Sequence, residues 1–226
     1  LYRVDFRLRP DGRNAPLCGS HAEYIRYYET RGEDWERQML IKANYLCGSE
    51  SLYMKFSNSV SRFIYPATFS VSPIEQIRKL KTSIEQRNKS DENIKLVSGG
   101  IRDIEFSIQA LQLLNGGKNA EIRTGNSLDA IDKLLKNNIL SQEEAAIFNQ
   151  AYNFYRKAEH YLQLMNDLQT HKIPADGEMV EKLAHFLKFK DLKSFKEQLS
   201  TYKKKVQNIY NSIVGIAIAS DAKNEF

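Results

Sequence analysis

The 226-residue sequence predicts a mainly α-helical protein, a short mixed α/β piece followed by an all-α helical bundle. Three observations lead there. Period-two alternation is confined to the first nine residues, apolar positions recur at helical spacing after them, and helix-start signals precede most of the apolar runs. The boundary between the two parts falls near residue 70, and no internal repeat or low-complexity tract interrupts either.

The elements follow in order. Along Leu1–Arg9, Val4, Phe6 and Leu8 point one way while Arg3, Asp5, Arg7 and Arg9 point the other, the pattern of a strand with one face on a core. Pro10–Asn14 then breaks the chain as a turn. A strand at the very start, with no preceding Met, suggests that the sequence is a fragment. Ser20 with Glu23 fits a capping box before a helix through about Thr30. Asp34–Ala43 reads as a second helix, closed by Gly48. Ser72-Pro73-Ile74-Glu75 supplies an N-cap, a proline at the first helical position and a glutamate three residues on, opening a helix to about Gln86. The polar stretch Asn88–Glu92 reads as a linker. After Ser98-Gly99-Gly100, Ile101, Ile104, Ile108, Leu111 and Leu114 keep helical spacing until Gly116-Gly117. Ser127–Asn138 is a short helix, and Ser141 with Glu144 caps a long one to about Asp167, with Phe148, Tyr152, Tyr155, Leu162 and Met165 along one side. Gly177–Phe189 and Asp191–Ser220 supply the last two, and amphipathic helices of these lengths joined by short loops make a bundle.

Composition narrows the class. Hydrophobic residues at 42% and charged residues at 27% suit a soluble globule, which at this length buries roughly 70–75% of its unfolded surface. The net charge of +5 is scattered, and the densest run, Lys203-Lys204-Lys205, spreads around a helix as a solvated face and forms no nucleic-acid stripe. The excess remains compatible with nucleotide phosphates. Cys18 and Cys47 show no ligand spacing and read as reduced thiols of a cytoplasmic protein. The longest apolar stretch, Ile213–Ala219, is too short to span a membrane.

Two places could carry chemistry. Asp5, flanked on its strand face by Arg3 and Arg7, is either an exposed salt-bridged acid or a carboxylate held beside cations that meet a polyphosphate. Gly99-Gly100 ahead of a helix frees backbone N–H groups at the positive end of the dipole, where an anion can sit. Arg102, Glu105, Gln109 and Gln112 then form a polar stripe without lysine, a stripe suited to burial against a partner domain. Asp103 and Glu105 point about 200° apart on the helix and do not share one metal ion. His21, His160, His171 and His185 have no ligand spacing and read as packed or surface histidines, and Trp35, Tyr152, Tyr155 and Tyr161 read as core.

Four strings in order resemble one family: Tyr2-Arg-Val-Asp-Phe-Arg-Leu-Arg-Pro-Asp-Gly12, Asp34-Trp-Glu-Arg-Gln-Met-Leu-Ile-Lys-Ala43, Asn93-Ile-Lys-Leu96 with Gly99-Gly-Ile-Arg-Asp-Ile-Glu-Phe106 and Gln109–Leu113, and Asn166-Asp-Leu-Gln-Thr-His171 with Pro174. Together they are similar to the bacterial glutamine synthetase adenylyltransferase/deadenylylase.

The resemblance implies that residues 1–70 are the C-terminal part of an α/β nucleotidyltransferase domain and 71–226 a helical bundle of the PII-uridylyltransferase-like type. It implies transfer of AMP from ATP to a tyrosine of glutamine synthetase in one half of the enzyme. The other half removes the AMP with phosphate to give ADP, and the PII signal protein regulates both. Asp5 would be the third carboxylate of a two-Mg²⁺ site, whose Asp-x-Asp pair has no counterpart before it in this sequence. On its own the chain is therefore expected to be inactive. Arg7 and Arg9 would make nearby phosphate or structural contacts, while Gly99, Gly100, Arg102 and Glu105 would face the catalytic domain at the nucleotide site. Asp34-Trp-Glu-Arg37 and Asn166–Thr170 look more like the deadenylylating half. The alternative reading is a helical regulatory module that docks PII or glutamine synthetase.

Overall fold

The structure, a computed structural model, describes residues 5–87, 92–166 and 170–221. Nine α-helices and no strand occur among the described residues. They are α1 (His21–Thr30), α2 (Asp34–Ile41), α3 (Glu50–Ile64), α4 (Pro73–Arg87), α5 (Ile101–Gly116), α6 (Ser127–Lys136), α7 (Gln142–Asn166), α8 (Glu178–Phe186) and α9 (Leu192–Asp221). Helix starts follow the local chemistry. Ser20 and Glu23 close the capping box of α1, and Ser141 and Glu144 exchange the same bonds ahead of α7. Asn126 caps α6 by accepting from the backbone N–H groups of Leu128 and Asp129.

The opening strand is corrected. Residues 5–9 run through turns, with the Arg9 N–H donating to the Arg7 carbonyl and the Gly12 N–H to that of Arg9. Phe6 and Leu8 are 66% and 62% exposed and pack no core. The reason is the missing ladder: an extended segment needs a neighbouring strand for its backbone groups, and the described residues provide none. Val4 and the first three residues lie outside the described part, as do most of the expected linker Asn88–Glu92 and residues 167–169.

Helix α2 ends at Ile41, well before Gly48, and α3 follows with its N-cap at Ser49, a helix the sequence reading did not separate. Trp35 stands exposed, its indole N–H donating to Glu33, and Met165 also lies exposed where α7 extends past the core.

Two apolar cores result. Tyr28, Leu40, Ile41, Val60 and Ile64 of α1–α3 gather on Leu113 of α5. The larger core runs through α4–α9, with Ile104, Phe148, Tyr155, Phe195 and Val206 fully buried. Helix α5 therefore touches both, which is why so many of its residues are hidden from water.

Candidate functional site

Asp5, Arg7 and Arg9 sit on the exposed turn segment. The Asp5 carboxylate accepts from the Arg7 backbone N–H at 2.9 Å and from its Nε at 2.8 and 2.9 Å, and it also pairs with Arg7 Nη2. These bonds hold the Arg7 guanidinium above its ordinary pKa. Arg9 donates to the carbonyls of Phe6, Ala15 and Pro16, so it staples the turn. Asp11 pairs with Arg31 at the start of the next loop. Asp5 offers one hard oxygen ligand, but among the described residues no three His, Cys, Asp or Glu side chains gather as a metal-binding set. The described residues alone therefore do not fit a magnesium site.

The Gly99-Gly100 pair is a packing device in this structure. Gly99 takes φ +76°, and a Cβ there would stand 2.0 Å from the Lys203 carbonyl oxygen; one on Gly100 would stand 2.3 Å from that of Ile94. The N–H donors at the start of α5, which the sequence reading offered to an anion, are taken internally. Gly99 donates to Asp103 Oδ2, Gly100 to Val97, Ile101 to Ile94 and Arg102 to Lys95. Asp103, 2% exposed, also receives Lys81 Nζ at 2.7 Å, while the Tyr155 hydroxyl donates to the Gly99 carbonyl. Lys81 Nζ lies 3.8 Å from the centre of the Tyr210 ring. This knot ties α4, α5, α7 and α9 together.

Arg102 and Glu105 face another way, on the polar stripe of α5. Glu105 accepts from the Tyr152 hydroxyl at 3.2 Å and from Arg156 Nη2 at 3.5 Å. Arg156 Nη1 donates to Glu159 at 2.6 Å, and His171 Nδ1 closes on the other oxygen of Glu159. Burial lowers the Arg102 pKa, against the pull of Glu105 and Asp103. Lys42, just past α2, is an exposed residue whose ammonium end tucks onto Ser127 Oγ at 2.7 Å. Burial of that end lowers its pKa, Glu105 raises it and Arg156 lowers it again, so the three charges share one neighbourhood. The stripe's other members turn inward: Gln112, 1% exposed, donates to the carbonyls of Ile122 and Thr124. It is buried by its own chain, not by a partner domain.

The structure thus joins Arg102 and Glu105 to Lys42, Tyr152, Arg156, Glu159 and His171, none of which the sequence reading singled out for the site. The i,i+4 and i,i+3 spacing of Tyr152, Arg156 and Glu159 was a usable signal; Lys42 and His171 come from remote segments and gave none.

Residues 74–214 match the family model of the GlnD PII-uridylyltransferase, a stretch of more than half the chain. The chain belongs to the GlnD PII-uridylyltransferase family. Residues 1–59 match a second model, that of the glutamate-ammonia ligase adenylyltransferase, GlnE. Both names are those of nucleotidyltransferases. The GlnD-family region carries Arg102, Glu105, Tyr152, Arg156, Glu159 and His171, while Asp5, Arg7, Arg9 and Lys42 fall within the adenylyltransferase match. The charged cluster around Glu105 therefore draws on both matched stretches. No helix among the described residues is long and apolar enough to cross a membrane.

Proposed function

We propose that this chain is part of a cytoplasmic enzyme that adenylylates and deadenylylates a tyrosine of glutamine synthetase, and that it belongs to the deadenylylating half. One observation carries the reading: a stretch matching the glutamate-ammonia ligase adenylyltransferase runs directly ahead of one matching the GlnD family within one chain. In the forward reaction the tyrosine oxygen takes AMP from ATP and pyrophosphate leaves. In the separate removal reaction phosphate attacks the phosphorus, the bond from the tyrosine oxygen to phosphorus breaks, and ADP and the free tyrosine are released. PII is the regulatory partner in this reading.

In this reading Asp5 would be one carboxylate of a Mg²⁺ site whose other ligands come from elsewhere in the intact enzyme, and a metal there would supply charge neutralisation at the phosphoryl group. The chain's own part is positional. Glu105 orients Arg156 through their contact, and Lys42 from the end of α2, with Arg102 of α5 and Arg156 of α7, presents positive charge toward a nucleotide.

The choice between substrates is the direct test. The enzyme containing this chain is incubated with adenylylated glutamine synthetase and phosphate, and separately with PII and UTP. Release of ADP in the first and no uridylylation in the second is the expected result. Uridylylation of PII with no action on glutamine synthetase would overturn the reading.

A further inference from the structure

We propose that the cleft between the end of α2, helix α3 and residues 123–126 binds a small ligand bearing an oxyanion, with Arg123 as its charged anchor. The cleft measures about 420 Å³ and is lined chiefly by hydrogen-bonding groups, among them Asn44, Ser57, Asn58, Ser61 and Asn126, with no carboxylate on its walls. A site of that lining favours a polar guest over an apolar one, and its single formal charge is positive.

Arg123 is held in place before any ligand arrives. Its Nε donates to the Gly116 carbonyl at 2.7 Å and its Nη1 to Ser61 Oγ at 3.2 Å, and its guanidinium lies 4.8 Å from the centre of the Tyr65 ring. Tyr65 in turn lies on Gly116, where a Cβ would stand 2.6 Å from the ring. Two of the five guanidinium N–H groups are used in these bonds, and the remainder can serve an oxyanion.

The opposite wall is equally built. Gly125 lets its loop lie on the end of α2, since a Cβ there would stand 3.0 Å from the Ile41 carbonyl oxygen. Asn126 uses its side-chain oxygen to cap α6, which leaves its amide N–H groups as donors at the cleft. Preorganised donors of this kind bind without first paying for side-chain ordering. The residues are distinct from the Glu105 cluster, so this site stands or falls independently of the proposed reaction.

Phosphate and carboxylate share the chemistry that Arg123 recognises, and a titration separates them. Backbone amide NMR spectra of the full 226-residue chain are recorded at low ionic strength against inorganic phosphate, AMP and acetate, with chloride at matched ionic strength as reference. Saturable shifts at the amides of Ser57, Gly125 and Asn126 are expected with at least one of the three. Phosphate or AMP alone assigns a phosphoryl group; acetate binding as well assigns an oxyanion site without that preference. Arg123→Gln is expected to abolish binding. Because that variant also loses the Gly116 bond, Asn58→Asp at an exposed position of α3 is the second test, and it should weaken binding by about tenfold or more. Shifts that stay linear in concentration for all three probes, or an affinity unchanged in Asn58→Asp, would overturn the proposal.

Discussion

Glu159 shows how a single side chain is stabilised here. At 2% exposure its burial by itself raises the carboxyl pKa, but the bonds from His171 and Arg156 outweigh that and carry it down to about 2. The folded value lies below the ordinary 4.5, so the contribution is fully present above pH 4.5 and is lost as the pH falls from there toward 2. It is on the order of 3 kcal/mol at neutral pH. Glu159→Gln should therefore lower stability at pH 7 and flatten the acid limb, as urea unfolding at pH 7 and pH 3 would show. An acid limb as steep as that of the parent protein would contradict this role. Asp103 makes a second case. Removing its charge with Asp103→Asn breaks the shorter ion pair of the buried Lys81 ammonium and leaves it the more exposed Glu85 carboxylate at 3.5 Å, at a cost of about 3 kcal/mol in the same measurement. An Lys81→Met, Asp103→Leu double replacement should recover much of that loss.

Among the elements, α5 and its glycine start are the most constrained. Gly99→Ala must clear the Lys203 carbonyl and hold a positive φ, so it should destabilise the protein by more than about 3 kcal/mol. Gly48→Ala provides the control, with positive φ but open space around its Cβ, and should cost about 1 kcal/mol. Thermal unfolding of the two variants separates crowding from backbone strain. Helix starts were legible because their signals are local: Ser20 with Glu23, and Ser141 with Glu144, need only three residues of context. The segment at 5–9 was misread because alternation specifies a strand only where a sheet receives it, and the described residues hold none. Helix α3 was missed although Gly48 and the Ser49 N-cap mark its start, because Gly48 was read only as the close of the preceding helix.

At the scale of the molecule, the charged cluster around Glu105 forms where segments remote in sequence meet. Arg102 and Glu105 were legible as a charged pair on one helical face, but their neighbours were not. Lys42 arrives from the end of α2 and His171 from beyond α7, and no periodicity announces either. The Gly-Gly start of α5 illustrates the converse: its sequence suited an anion, yet tertiary packing claimed every donor. The nucleotidyl-transfer reading gives Asp5, which Arg7 engages in this structure, a part in the chemistry. Because both side chains are exposed, Asp5→Asn should leave the unfolding temperature unchanged. The decisive measurement is phosphate-dependent release of ADP from adenylylated glutamine synthetase by the intact enzyme and by its Asp5→Asn variant. A loss of about 1,000-fold or more with the fold intact is the expected result; turnover equal to that of the parent enzyme would contradict it.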